Sequence, residues 1–374
     1  MTSSGTRFLY VFPEGLHNEM VSRVYQSRGY DKEESDIAAY YAGLASRYGI
    51  KTHAALKALH LEHLFGTGCG LAKPGAKIEE IDTGYPAVGK INAHYKLGQP
   101  VARRAMEMAM ERADRYGIGL VVVDRPFHYL WGGGYVLEAA LKGYIAYTNC
   151  TATLAEVVPF GGKYPTMGTN PHSWAFPTQD LVGHVVLIDW ATSAVAMGRV
   201  QQLKREGLPL PPEVAIDKDG AFTTDPDRVF GLMPFGGKVG GHKGYGLSLV
   251  DELYAAYIGG GLPTLRGHRD ETGDGRNRAS CYVFQAIKPE ALAAASFTSR
   301  TEQDANVKAV LQDILGHGND KAILPGKLEH EAFLRSRTEG GLLFTEAEIR
   351  EFAEVFDKAG VKGFDPKALR KIVG

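Results

Sequence analysis

From Phe235 to Gly261 the chain reads FGGKVGGHKGYGLSLVDELYAAYIGGG. The first half is glycine interrupted by His242 and Lys243. The second half switches to a helical pattern, with Leu247, Val250, Leu253, Tyr254, Tyr257 and Ile258 on one face. This predicts a glycine-rich loop feeding a helix that stops at Gly259-Gly260-Gly261, ahead of Pro263. Unpaired N–H groups and positive dipole at a helix start favour an anion, and missing Cβ atoms let it approach the backbone. Lys243 would sit beside that anion. A plain surface turn before a core helix fits the same pattern. A P-loop does not, because Lys243 is followed by Gly244 and not by Ser or Thr.

Glycine supplies 46 of 374 residues, about 12%, against a usual ~7%. The excess falls in clusters at 66–70, 132–134, 161–162, 236–246 and 259–261, as expected for tight turns and close ligand approach. The length suits two or three folded units. A formal net charge of -1 gives no reason to expect nucleic acid or an anionic membrane as partner. Cys69, Cys150 and Cys281 form no C-x-x-C pair, which argues against a disulfide scaffold or a cysteine metal site. The run FLYVF is too short for a signal segment, and no stretch approaches the ~20 apolar residues of a membrane span. The expectation is a soluble cytoplasmic protein.

Residues 14–48 read as two helices, the second opening on acidic residues at 31–36. In KTHAALKALHLEHLFG, Thr52 is the expected N-cap, and His53, Lys57, His60 and Leu64 fall on one helical stripe. A positive helix terminus and a nearby cation both disfavour imidazolium, so His53 should titrate low. His53 is thus a candidate general acid/base and Lys57 a candidate carboxylate anchor, while a solvated polar stripe would look alike. His60-Leu61-Glu62-His63 lacks H-E-x-x-H spacing, and no metal is expected.

Residues 100–116 predict an amphipathic helix, and Gly119–Asp124 a buried strand. A loop with His128, a helix over VLEAALKG and a strand over YIAYTN then outline a βαβ unit, although GGGY lacks the Rossmann glycine spacing. Residues 148–177 read as a long functional loop. GHVVLID is a strand, with Ala191, Thr192 and Ser193 at its junction with a helix starting near Ala194. RGHRDETGDGRNR reads as a charged hinge or lid, SCYVFQAI as a core strand, ILPGKLEHE as a loop, and 345–359 and 366–373 as terminal helices.

Taken together, GIKTHAALK, LGQPVARRAMEMAMERA, FHYLWGGGY, VVPFGGKYPTMGTNP, HVVLIDWATSAVAMG, GGHKGYGLSLVDEL, CYVFQAIKPEAL and ILPGKLEHE resemble, in order, the type-2 malate/L-lactate dehydrogenase family. The resemblance implies a homodimeric NAD(P)-dependent oxidoreductase on a non-Rossmann α/β fold with a largely antiparallel sheet. Its N-terminal region (1–118) would pack with the C-terminal helices (341–374). A nucleotide-binding sheet domain would span 119–205 and 280–340, with a smaller helical and loop region at 206–279. By motif position, the family's catalytic histidines fall on His53 and His128, and substrate contacts on Thr52 and Lys57. Cofactor contacts fall on Cys150, Asp189, Trp190, Ala191, Thr192, Ser193, His242, Lys243, Gly326 and Lys327.

The chain departs from the family pattern near the substrate. Lys57 replaces an arginine and cannot offer a bidentate fork. Leu61 replaces a tyrosine, Phe127 precedes His128 where asparagine or serine is usual, and the loop after His128 is one residue longer. The implied reaction moves hydride between NAD(P)H and C2 of a 2-oxo or 2-hydroxy acid, with His53 as proton donor. A cyclic-imine 2-carboxylate reductase is the alternative within the redox class, and a kinase-like phosphate-binding enzyme the alternative outside it.

Overall fold

The computed structural model describes residues 8–259, 280–294 and 297–374. RGHRDETGDGRNR lies outside the described residues.

Two helices open the chain after strand β1 (Phe8–Phe12): α1 (Glu14–Ser27) and α2 (Lys32–Arg47). Asp31 caps α2 by accepting the Glu34 N–H at 2.8 Å, and the Glu34 carboxylate reaches back to the Asp31 N–H. The acidic start expected there is therefore a capping box. Far along the chain, α12 (Glu346–Lys358) is opened by the same device, Thr345 with Glu348. The terminal stretch expected as a helix is instead a short turn and a strand, β12 (Arg370–Val373). β1 pairs antiparallel with β12 on one side and with β11 (Leu342–Thr345) on the other. Phe12, Phe344, Phe352 and Phe356 are sealed between these strands, α1 and α12. Each such ring contributes roughly 1.5–3 kcal/mol through burial, so chain ends remote in sequence close one core.

The central sheet has seven strands in the order β2 (Glu79–Ile81), β3 (Val88–Asn92), β4 (Ile118–Asp124), β10 (Cys281–Ile287), β5 (Ile145–Cys150), β6 (His172–Phe176) and β7 (Val186–Trp190). Only β3 and β4 pair in parallel; all other neighbours are antiparallel. The βαβ outline is thereby corrected: β4 and β5 do not touch, because β10 lies between them and pairs with both. The long loop expected over 148–177 likewise contains β6.

Alternation along β10 sorts the two layers. Tyr282, Phe284 and Ala286 join the core beneath α4 (Gly98–Tyr116) and α5 (Gly132–Leu141). Cys281 and Val283 pack instead with Ala255 and Ile258 of α8 (Gly237–Ile258). α4 lies close on the sheet through Ala102, Ala105, Ala109 and Ala113, all buried. Gly119 permits this approach, since a Cβ there would lie 2.0 Å from the Ala109 carbonyl oxygen.

The glycine-rich stretch is the main correction. Gly236 and Gly237 make the turn, at φ +106° and +61°, and the chain is helical from Gly237 to Ile258, so His242 and Lys243 lie in a helix where a loop was expected. Its backbone N–H groups are mostly used within α8. The glycines serve contact: Gly241 and Gly244 lie buried, a Cβ on Gly244 falling 2.6 Å from the Phe235 carbonyl oxygen. The expected apolar face is mostly uncovered, with Leu253 50% and Tyr257 90% exposed. The predicted stop is borne out by Gly259, at φ +91°.

A satellite core formed by Val157, Met167, Val200, Leu203 and Leu232 joins α7 (Met197–Glu206) to the two-stranded pair β8 (Ala215–Ile216) and β9 (Gly231–Leu232). Short helices α6 (Gln179–Val182) and α9 (Pro289–Ala293) flank α10 (Arg300–Leu315), which buries none of its residues. The turn at Pro325–Gly326 starts α11 (Lys327–Glu339), where a loop was expected. α3 (Ala55–Phe65) completes the set. None of the described helices is long and apolar enough to cross a membrane.

Candidate active site

A cleft enclosing about 630 Å³ of non-protein space, part of it open to solvent, is lined by residues from widely separated segments. His53 and His128 line it together with Cys150, Asp189, Trp190 and Ala191.

His53 sits in a 3₁₀ turn over Lys51–His53, one residue before the N-cap of α3, which is Ala54. Thr52 is therefore not the cap. Its Oγ1 lies 3.0 Å from Nδ1 of His53 and orients the ring instead. Burial, then the Lys57 charge, lowers the His53 pKa to about 4. The low titration expected from sequence holds, but its main cause is desolvation. Lys57 is half-buried in the first turn of α3 and its own pKa is lowered, by desolvation first, with Glu156 opposing and Arg205 adding to the shift. On α3, Glu62 is buried and bonded to Arg28 at 2.5 Å and to Tyr30 at 3.1 Å.

The segment carrying His128 is fixed from several directions. The Leu130 N–H donates to Nδ1 of His128 at 2.9 Å, so in the neutral ring the proton resides on Nε2. The Tyr282 hydroxyl donates to the Phe127 carbonyl, and the Tyr135 hydroxyl to the Tyr129 carbonyl at 2.9 Å. α4 begins against the same segment. A Cβ on Gly98 would lie 2.0 Å from the Phe127 oxygen and 2.4 Å from the His128 oxygen. Burial, followed by the charges of His53 and Lys57, brings the His128 pKa to about 3. Both imidazoles are thus neutral at physiological pH.

Asp189, next to last in β7, has both carboxylate oxygens engaged. Oδ2 accepts from Trp131 Nε1 at 3.1 Å and Oδ1 from the Ser173 hydroxyl at 2.5 Å. Burial raises its pKa to about 6, opposed by these two hydrogen bonds. Trp131 comes from the loop with the extra residue, and it starts α5 as N-cap; the three glycines after it are helical rather than loop. Cys150 is buried and burial pushes its thiol well above its ordinary pKa, so it is no nucleophile. The indole N–H of Trp190 is buried without an acceptor.

Other sequence candidates stand outside this lining. Thr192 is buried and its hydroxyl donates to the Thr169 carbonyl at 3.1 Å; the Ser193 hydroxyl donates to the Val195 carbonyl at 2.8 Å. His242 and Lys243 lie exposed on α8, within the helix and not at its start. Gly326 presses the Pro325 turn onto β7, a Cβ there meeting the Val185 oxygen at 2.5 Å, while Lys327 is exposed and 3.9 Å from Glu331. Tyr129, Leu130, Thr169, Pro171 and Ser280 line the cleft without having been singled out. Four of them, all but Ser280, lie inside motifs that carried the resemblance, which is the signal that could have found them.

The sequence profile for malate/L-lactate dehydrogenase matches residues 14–353. The chain belongs to that family. It is 34% identical over 353 residues to a malate dehydrogenase of Pyrococcus horikoshii, covering 92% of this chain and 94% of the relative. It is 30% identical over 259 residues to a Δ1-pyrroline-2-carboxylate reductase of Ancylobacter novellus, covering 68% of this chain and 72% of the relative. In fold it is similar to malate dehydrogenase of Entamoeba histolytica, with a TM-score of 0.81 at 24% identity, over 95% of this chain and 99% of that one. His53 and His128 share one cleft, and the Lys57 charge acts on both.

Proposed function

We propose that the cleft interconverts a 2-oxo acid and the matching 2-hydroxy acid using a nicotinamide dinucleotide, in the manner of malate and lactate dehydrogenases. The observation that carries this reading is the convergence of two neutral imidazoles with Asp189, Trp190 and Ala191 in one cleft. A nicotinamide bound there would supply or accept hydride. The orphaned Trp190 N–H suits an acceptor such as its carboxamide oxygen. The carboxylate of Asp189 is already taken by Trp131 and Ser173, so its role is to hold the cleft wall.

His53 acts on the substrate oxygen. A neutral imidazole accepts the hydroxyl proton when a 2-hydroxy acid is oxidised, and the resulting imidazolium returns it to the oxygen when a 2-oxo acid is reduced. A positioned acid–base group of this kind contributes about 10²–10⁴ in rate. Lys57 attracts the substrate carboxylate as a point charge. His128, with its proton on Nε2, donates a hydrogen bond within the cleft and stays neutral.

The low pKa of both imidazoles favours one second reading. A cyclic imine carboxylate arriving as its protonated iminium needs no proton from His53, and a relative at 30% identity bears the name of such a reductase. Rates of NADH and NADPH oxidation with pyruvate, oxaloacetate and Δ1-pyrroline-2-carboxylate separate the two. Retained imine reduction in His53→Ala, with loss of 2-oxo acid reduction, supports the imine; loss of both supports His53 as acid.

The non-Rossmann nucleotide site, the domain division drawn from sequence, a cytoplasmic location and a homodimer complete the proposal. The exposed apolar flank of α8, with Leu253, Tyr254 and Tyr257, supports a second copy as partner. Light scattering on the purified chain tests it. Thr192, Ser193, His242, Lys243, Gly326 and Lys327 are proposed as cofactor contacts only through a partner copy or a change in shape on binding.

A further inference from the structure

Lys73, Pro74, Gly75, Ala76, His94, Tyr95 and Arg125 line a second, more open concavity of about 780 Å³ including solvent-filled space. It shares no residue with the His53–His128 cleft. Among the described residues no acidic side chain lines it, whereas three lining residues are basic. Arg125 is partly exposed, with Nε 3.6 Å from a carboxylate oxygen of Asp124, beyond a normal hydrogen bond. The exposed Lys73 places Nζ 5.4 Å from the centre of the Tyr95 ring. His94 is held by Glu79 at 2.7 Å in a half-exposed pair.

The wall is built from three separate stretches joined by backbone hydrogen bonds. The Lys73 N–H donates to the Tyr95 carbonyl at 2.9 Å, and the Tyr95 N–H to the Arg125 carbonyl at 2.7 Å. His94, Tyr95 and Arg125 all take positive φ, at +48°, +64° and +52°. For residues other than glycine this conformation is costly, and such strain persists where the surroundings fix it, often at ligand clamps. Here it turns Arg125 out at the end of β4 and sets it on the same rim as Lys73.

We propose that this concavity binds a small oxyanion, of the phosphate or carboxylate class, between Lys73 and Arg125. A guanidinium forks two oxygens of such a group, and an ammonium adds a mobile point charge. The Gly75 N–H is already taken by Glu34 at 2.9 Å, so side chains supply the recognition.

The test is calorimetric titration of the full chain in chloride buffer with inorganic phosphate and, separately, with malonate, each with and without saturating NADPH. Arg125→Gly suits the positive φ while removing the guanidinium, and Lys73→Ala alters only an exposed side chain. Binding of either probe that survives NADPH and weakens about tenfold or more in both variants is the expected result, equivalent to about 1.4 kcal/mol each. The stronger probe identifies phosphate or carboxylate as the preferred group. Absence of binding by both probes, competition by NADPH, or unchanged affinity in Lys73→Ala overturns the proposal. If Arg125→Gly fails to fold, Lys73→Ala alone decides.

Discussion

The backbone N–H of Leu130 donates to Nδ1 of His128 at 2.9 Å from a left-handed conformation, φ +67°. A leucine is costly in that conformation, by roughly 1–2 kcal/mol, and the Trp131–Asp189 bond immediately after it holds the turn in place. Leu130→Gly keeps the N–H and relieves the strain, so kcat should stay near that of the parent. Leu130→Pro removes the donor and demands negative φ, and kcat should collapse. Steady-state kinetics on the two variants checks this, and equal rates would remove the turn from the mechanism.

Gly98 controls the same segment from beneath. In Gly98→Ala the new Cβ meets backbone atoms of Phe127 and His128, which no side-chain rotation can relieve. A shift of about 1 Å in a reacting group costs on the order of 10²-fold. We expect kcat/KM to fall by about that factor, while far-UV circular dichroism stays unchanged.

After burial, the Lys57 charge lowers the pH at which the His53 base becomes available. Oxidation of a 2-hydroxy acid needs neutral His53, which is present above its pKa of about 4 and lost as pH falls through it. Removing a cation stabilises imidazolium, so the acid limb of oxidative kcat/KM should move to higher pH in Lys57→Met. Reduction uses the charged ring, so its kcat/KM should fall as pH rises through about 4 and keep falling above it. A limb that does not move in Lys57→Met contradicts the placement of that charge beside His53. Lys57→Arg, restoring a planar fork, should lower KM for a 2-oxo acid if the side chain reaches the carboxylate.

Phe352 is fully buried between Phe12, Phe344 and Phe356. Phe352→Ala should cost about 3–5 kcal/mol of stability, read as a lower denaturation midpoint. It lies in the terminal core and not in the cleft lining, so activity per folded molecule should persist.

Much of the fold was legible where a local pattern decided it. The acidic start of α2, the proline-bearing start of α4 and the β-branched run of β4 each carry their own signal. α8 was legible as to where it ends and illegible as to where it begins. Glycine reads locally as loop, yet Gly241 and Gly244 are there because neighbouring backbone and rings come too close for a Cβ. β1 and β12 depend on pairing across the whole chain length, so no short window reveals them; α10 has no buried face to set an apolar period, and its one local signal is the Ser299–Glu302 capping box. His53 was singled out by its helical stripe with Lys57 and His128 through the resemblance, and the fold brings both to one cleft. Their common neutrality was only half legible, because desolvation is a property of the assembled cleft.

The most direct measurement is the initial rate of NADH and of NADPH oxidation by the purified chain across a panel of 2-oxo acids, beside His53→Ala. The account predicts turnover with at least one acid and a drop of about 10²-fold or more in the variant. No turnover with any acid and either dinucleotide, or undiminished rates in His53→Ala, would contradict it.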